Sequence, residues 1–333
     1  MHGFRMEAQD EYTHAPSAES NFNESVYLNA FDASGRFGGW MRLGNRVNEG
    51  RAELSVCLYL PDGKVACQFA RPPISHNNAH DAGGLRYAVM KPLSEVRMDY
   101  DGEVMLLDDG EWMREPKQAF ERAARVPCQV SFHHQGCSPV HGGEPTDATT
   151  PTMYGRNFSL GHFNQHTRAS GFIQVGDQRL DVNGFGWRDH SWGPRYWTNI
   201  YFYRLFIANF GPDRGFMILK ITDRDGTTRR VGVLQYDGDY EDITDLDLWT
   251  EWTEKQDPRA MRLGIRTAKR AVQVEGEITS MVPLRNRREE NGVALQSRIA
   301  EGFTRFRWDD RVGYGMTEYI EVLENGRPVG YPL

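Results

Sequence analysis

Residues 184–197 read Gly-Phe-Gly-Trp-Arg-Asp-His-Ser-Trp-Gly-Pro-Arg-Tyr-Trp. An acid, an imidazole, two arginines, three tryptophans and three glycines stand together in this one segment. Surface loops rarely hold so much aromatic mass, and strand cores rarely hold so much charge. The mixture suits the lining of an apolar cavity, where aromatic walls hold a ligand and a few polar groups act on it. If Trp187–Trp192 is extended, alternate side chains share a face. Arg188, His190 and Trp192 then point one way, and Trp187, Asp189 and Ser191 the other. His190 and Trp192 line one cavity in this reading. Asp189 supports from behind, or reaches the cavity if the strand bends. Gly193-Pro194 is a natural stop or bend. The competing reading is a buried polar cluster that fixes a corner of the fold. Either way, a buried acid and imidazole need partners.

Outward from this stretch the chain is strand after strand. Gly171–Val175 and Gln178–Val182 flank a Gly176-Asp177 turn. Ile200–Phe210 is apolar on both faces, as in a strand covered on both sides or lining a filled barrel. Residues 215–222 and 227–235 form a hairpin about Asp223–Gly226. Residues 246–252, 261–268, 272–280, 295–308 and 314–323 complete the second half. In the first half, strands are expected at 25–31 and 40–43. Ala52–Leu60 alternates cleanly and turns through Pro61-Asp62-Gly63 into Lys64–Ala70, a hairpin with a mechanism for its turn. Residues 71–86, with His76 and His80, read as a loop, either solvated or capping a cavity. A short hairpin is expected over 104–113, a helix over 117–125, and a loop or linker over 133–152. Regularly spaced strands, Asp-Gly turns and few helices indicate an all-β protein of barrels or sandwiches.

Composition bounds the function. With 333 residues, two domains are the prior. The net charge of −7 argues against nucleic acid as a partner, and the basic run Arg285, Arg287, Arg288 reads as a solvated loop. No apolar run approaches the roughly 20 residues of a membrane helix. The polar start, Met1–His14, has no signal-peptide character, so a cytoplasmic location is expected. Four cysteines would then stay reduced. Cys128, His133, His134, Cys137 and His141 match no standard zinc spacing, and no metal is expected. There is no Gly-x-Gly-x-x-Gly or Walker loop, no Gly-x-Ser-x-Gly elbow and no His-Glu-x-x-His, and no organic cofactor is expected.

Asp-His-Ser-Trp-Gly at 189–193 resembles the Asp-His-x-Trp-Gly signature of the AttH and carotenoid 1,2-hydratase (hydroxyneurosporene synthase) group of lipocalin-like proteins. Residues 38–50, Gly-Gly-Trp-Met-Arg-Leu-Gly-Asn-Arg-Val-Asn-Glu-Gly, and 313–319, Gly-Tyr-Gly-Met-Thr-Glu-Tyr, fit a bacterial branch of unassigned activity. The resemblance implies two lipocalin-like (calycin-type) β-barrel domains packed together. On it, an arm spans 1–22, an N-terminal domain 23–155, and a C-terminal domain 156–333 that carries the motif.

Hydratases and cyclases of the resembling group work on isoprenoid double bonds without metal or organic cofactor. Carried over, Asp189 and His190 are the acid/base pair, and Trp192 is a wall and cation stabiliser. Tyr236-Asp237 does not match the Tyr-x-Asp of a later hydratase strand, because its spacing differs. An apolar barrel raises the pKa of a carboxylic acid, which can then protonate an alkene or a tertiary alcohol. The faces of Trp192, Trp197, Tyr201 or Tyr203 would stabilise the cation. Trp187 and Arg188 join these as substrate-binding candidates, with Arg188 and Arg195 suited to an anionic head group or to structural salt bridges. The expected enzyme is thus a hydratase, dehydratase, isomerase or cyclase for a hydrophobic, terpenoid-like small molecule, and a homodimer is compatible with it. The rival is a non-catalytic lipocalin-like carrier, recognised by a ligand recovered unchanged. A partner-docking role would instead show an exposed apolar patch.

Overall fold

The computed structural model describes residues 3–147, 150, 159–196, 200–290, 292–325 and 327–329. By internal contacts the chain divides into two units, 1–106 with 124–196, and 107–123 with 197–333.

The first unit is built on β1 (Phe22–Asp32), β2 (Gly38–Arg46), β3 (Arg51–Tyr59), β4 (Val65–Ala70), β5 (Glu95–Leu107), β6 (Ala124–Gly136), β7 (Gly161–Val175) and β8 (Gln178–Pro194). Each strand is hydrogen-bonded to the next, and β8 pairs back onto β1, so the pairings close a ring. The second unit repeats the plan with β9 (Ile200–Asn209), β10 (Arg214–Asp223), β11 (Thr228–Tyr236), β12 (Asp239–Trp252), β13 (Pro258–Thr267), β14 (Ala271–Glu290), β15 (Val293–Trp308) and β16 (Arg311–Glu324). Here β16 closes onto β9. Closure leaves no edge strand within either ring. The fold is therefore the all-β, lipocalin-like barrel architecture expected.

Alternation decides what each barrel contains. Val26, Leu28 and Ala30 of β1 point inward with Met41 and Leu43 of β2, Leu54, Val56 and Leu58 of β3, and Val130 and Phe132 of β6. This apolar layer fills one end of the first barrel. In the second barrel Phe206, Phe216, Leu263 and Phe306 form the equivalent core. The buried Arg204 lies on the inward phase of β9 and is satisfied by Glu321 at 2.7 Å. The Pro61-Asp62-Gly63 turn forms as read, with Gly63 at φ +85° and open space around it.

Several expectations are corrected. The boundary expected at 155/156 lies at 196/197, because β7 and β8 close the first ring and the second ring is complete without them. The motif strand thus belongs to the first unit. The N-terminal arm is not free: Phe4–Arg5 pairs with His141–Pro145, inside the expected linker, and Ala8–Glu11 is a 3-10 turn whose Asp10 and Glu11 are buried. The second limb of the expected 104–113 hairpin is a 3-10 helix, Gly110–Arg114, followed by the helix Pro116–Arg122. The arginine-rich run at 285–288 continues β14 rather than forming a loop. Finally, β7 begins at Gly161, ten residues before the expected Gly171, because Gly161–Ser170 carries polar residues on both faces and shows no hydrophobic period.

Gly186 sits where two close approaches meet. A Cβ there would lie 1.9 Å from the Asn29 carbonyl oxygen and 2.8 Å from the His134 ring. Gly186→Ala should therefore destabilise the first unit by about 1–3 kcal/mol, read as a lowered urea midpoint at unchanged m.

Candidate functional site

β8 pairs without a register shift with β7 over Gln178–Trp192 and with β1 over Gly184–Pro194, so its side chains alternate through the motif. Alternation then divides the motif. Arg188, His190 and Trp192 face the barrel interior, and Trp187, Asp189 and Ser191 face outward.

The inner set forms a polar end above the apolar core. Glu24, on the inward phase of β1, is fully buried. Its Oε1 meets His14 Nδ1 at 2.7 Å and His190 Nε2 at 3.0 Å. Its Oε2 accepts from the His14 backbone N–H at 2.8 Å and from Asn77 Nδ2 at 2.7 Å. Burial alone would raise its pKa, but the contacts with His14, His190 and His80 outweigh burial and hold it at about 2. Rings surround His190: Phe163 at 5.3 Å, Trp192 at 5.4 Å, His80 at 5.6 Å and His14 at 5.9 Å. His14 also stacks on Trp192 at 3.9 Å, and Trp192 Nε1 donates to Glu144. Below lies a second ion cluster. Arg188 donates to Glu11 and, at 2.7 Å, to Gln165 Oε1; Glu11 also accepts from the Tyr87 hydroxyl and the Leu93 N–H at 2.7 Å each. Burial and the Glu11 charge push the Tyr87 hydroxyl well above its usual range. Residues 76–80, read as either a solvated loop or a cap, supply Asn77 and His80 to this closed end.

The outer set forms a buried aromatic and polar wall. Asp189 Oδ2 pairs with His162 Nε2, and their side chains keep 18% and 6% of their exposure. Beside them the Trp187 ring meets His166 edge-on at 4.6 Å. The Trp187 backbone N–H donates to Asn29 Oδ1 at 2.9 Å, and Asn29 Nδ2 donates to the Tyr27 hydroxyl, whose ring stacks with Trp40 at 6.0 Å. Ser191 accepts from Arg195 Nη2 at 2.9 Å.

The structure therefore does not bring Asp189 and His190 together as one acid/base pair: they lie on opposite faces of one strand, each with its own partner. Glu24, the acid beside His190, is ionised rather than protonated. Arg188 is committed to Glu11 and Gln165, which favours the salt-bridge reading of that residue. Tyr201 and Tyr203 lie on β9 in the second unit, and Trp197 lies outside the described residues. A cavity of about 220 Å³ in the second unit is lined by Arg114, Asp257, Arg298, Tyr319 and Glu321 among others, a more charged lining than the expected aromatic one. Glu11, His14, Glu24 and His162 escaped the sequence reading. A signal existed for Glu24, a carboxylate in phase with Val26, Leu28 and Ala30. None existed for His14 or His162, whose partners lie 10 and 27 residues away.

A family model matches residues 7–323. The chain belongs to the family described as a domain of unknown function, DUF7064. No curated protein is similar enough to count as a relative. Among solved structures, an AttH-type protein from Nitrosomonas europaea is 13% identical with a TM-score of 0.55, covering 94% of this chain and 95% of its own. Kievitone hydratase from Nectria haematococca is 11% identical with a TM-score of 0.58, covering 95% and 93%. CghA with Sch210972 is 12% identical with a TM-score of 0.57, covering 98% and 95%. The DUF7064 chain thus has the AttH/lipocalin-like fold, and both units are matched.

Two outcomes follow from the inner ion clusters. Arg188→Met should cost about 3–5 kcal/mol in urea unfolding, because it leaves Glu11 buried without its cation. His134, buried against Thr167, has its pKa lowered from 6.5 to about 3 by burial first and then by Arg188. The unfolded chain takes up that proton below 6.5 while the folded one refuses it until about 3. Stability should therefore fall as pH drops through this window, by on the order of 1 kcal/mol per unit from this residue. Urea midpoints at pH 6.5 and 4.5 should differ less in His134→Asn than in the wild type.

Proposed function

We propose that this protein is an acid–base enzyme for an apolar, isoprenoid-like small molecule, needing no organic cofactor, and that its working pair is Asp189 with His162. The observation that carries this reading is an acid–imidazole pair set in a wall of Trp187, Tyr27 and Trp40 and still partly accessible. Asp189 keeps the role expected of it, and His162, on the neighbouring strand, takes the role expected of His190.

The chemistry is proton transfer. Asp189 and His162 pass a proton to, or take it from, a carbon or hydroxyl of a substrate that reaches the accessible side of Asp189 beside Tyr27. Such a positioned donor contributes about 10²–10⁴-fold to a rate. The ring of Tyr27, half-buried opposite Asp189, stabilises the positive charge that develops. Hydration, dehydration, isomerisation and cyclisation share this step. Two neighbours support the substrate class: one is named as a hydratase, and one was crystallised with Sch210972.

The test is product analysis by mass spectrometry over a panel of isoprenoid alkenes and tertiary alcohols. Asp189→Asn and His162→Gln should each lower kcat at least about 100-fold while the far-ultraviolet dichroism is kept. Turnover untouched by both substitutions would overturn the assignment. A co-purifying ligand recovered unchanged from wild type and Asp189→Asn alike would support the carrier instead.

A further inference from the structure

We infer that His14, Glu24 and His190 form a binding site for a first-row divalent metal ion, with zinc as its representative, which clasps the N-terminal segment to the wall of the first barrel.

The donor set comes first. His14, Glu24 and His190 each offer one ligand atom, all within 4.8 Å of one another, and Glu24 Oε1 already contacts His14 Nδ1 and His190 Nε2. Two nitrogens and one oxygen are a usual set for zinc, with bonds of about 2.0–2.2 Å and a fourth position for water. Such bonds in tetrahedral array place ligand atoms roughly 3.4 Å apart. The present separations from Oε1 are 2.7 and 3.0 Å, so the ion enters if the ligands part by roughly half an ångström.

Charge points the same way. Glu24 is fully buried, yet no Lys or Arg among the described residues makes an ion pair with it. The nearest buried arginine, Arg188, is held by Glu11. A carboxylate buried without a Lys or Arg partner is costly unless another cation joins it. A divalent ion supplies the missing charge.

The surrounding hydrogen bonds also fit. Glu24 Oε2 is occupied by Asn77 Nδ2 and the His14 N–H, which turns Oε1 toward the two rings. On the far side of His14, Nε2 faces Asp10 Oδ1 at 3.6 Å. Both ring nitrogens of His14 thus face carboxylates. A neutral ring has one N–H and satisfies one of them. With metal on Nδ1, Nε2 carries the proton toward Asp10, the outer carboxylate–histidine–metal arrangement that orients such ligands. The rival is a protonated His14 with no metal. Trp192 stacked on His14 and Phe163 beside His190 shield the centre from water.

Sequence spacing conceals this set, because its members are 10 and 166 residues apart and meet only when the N-terminal segment reaches the closed ring. It is independent of the His162–Asp189 pair, which faces the other way.

The experiment uses the full chain stripped with chelator and titrated with zinc chloride, followed by calorimetry, by metal content after gel filtration and by the melting temperature. Wild type should bind one zinc per chain and melt higher with it. His14→Ala, which removes a ligand from the terminal segment rather than from the barrel wall, should bind at least about 100-fold more weakly and lose the rise in Tm. His76→Ala, an exposed histidine outside the cluster, should behave as wild type. Cobalt(II) bound to wild type should show the intense visible bands of a four- or five-coordinate site, a readout that needs no variant. Absence of saturable zinc binding, or equal binding and equal rise in Tm in His14→Ala, would overturn the inference and leave the protonated His14.

Discussion

A strand sends successive side chains to opposite faces, and β8 obeys this without a register shift along its whole length. From that constraint the rest of the arrangement follows. One tripeptide, Arg188-Asp189-His190, contributes to two unrelated environments. Arg188 and His190 enter the barrel and join buried carboxylates. Asp189 stays on the wall and joins His162. A single bulge in β8 would exchange the two sets, and the close contacts about Gly184 and Gly186 leave little room for one.

Inside the barrel, the polar end is an exchange of charge for order. Glu11 and Glu24 are both fully buried, which is tolerable only where every lone pair finds a donor. The donors come from distant parts of the chain: the Tyr87 hydroxyl and the Leu93 N–H for Glu11, Asn77 and His14 for Glu24. These contacts hold residues 7–14 in place over the barrel end. The site-bearing strand and the segment that closes the barrel are thereby one cooperative unit, and the apolar layer of Leu28, Met41 and Phe132 supports it from below.

Outside the barrel, Trp187, His166 and Trp40 are buried and Tyr27 is half-buried, although these residues are polar or amphipathic. Such side chains place hydrogen-bonding groups at the rim of an aromatic surface, which suits an apolar ligand carrying a few polar atoms. The filled interior of the first barrel is a poor match for such a ligand, because Phe163, Trp192 and the two ion clusters occupy it.

The sequence by itself determined the all-β class, most of the strands, the Pro61-Asp62-Gly63 turn and the two-faced character of residues 187–192, because each is written in periods of two or in turn residues a few positions apart. It also marked the importance of Asp189, His190 and the neighbouring tryptophans through their density in one segment. Only the tertiary structure decided which faces were which, that β7 and β8 close the first ring, and that His14, Glu24 and His162 are the partners. The physical reason is range. Hydrophobic periodicity is a local signal, and it vanishes in Gly161–Ser170, where both faces are polar. Pairing of a buried acid with its imidazole is set by ring closure between strands far apart in the chain, and no local pattern encodes it.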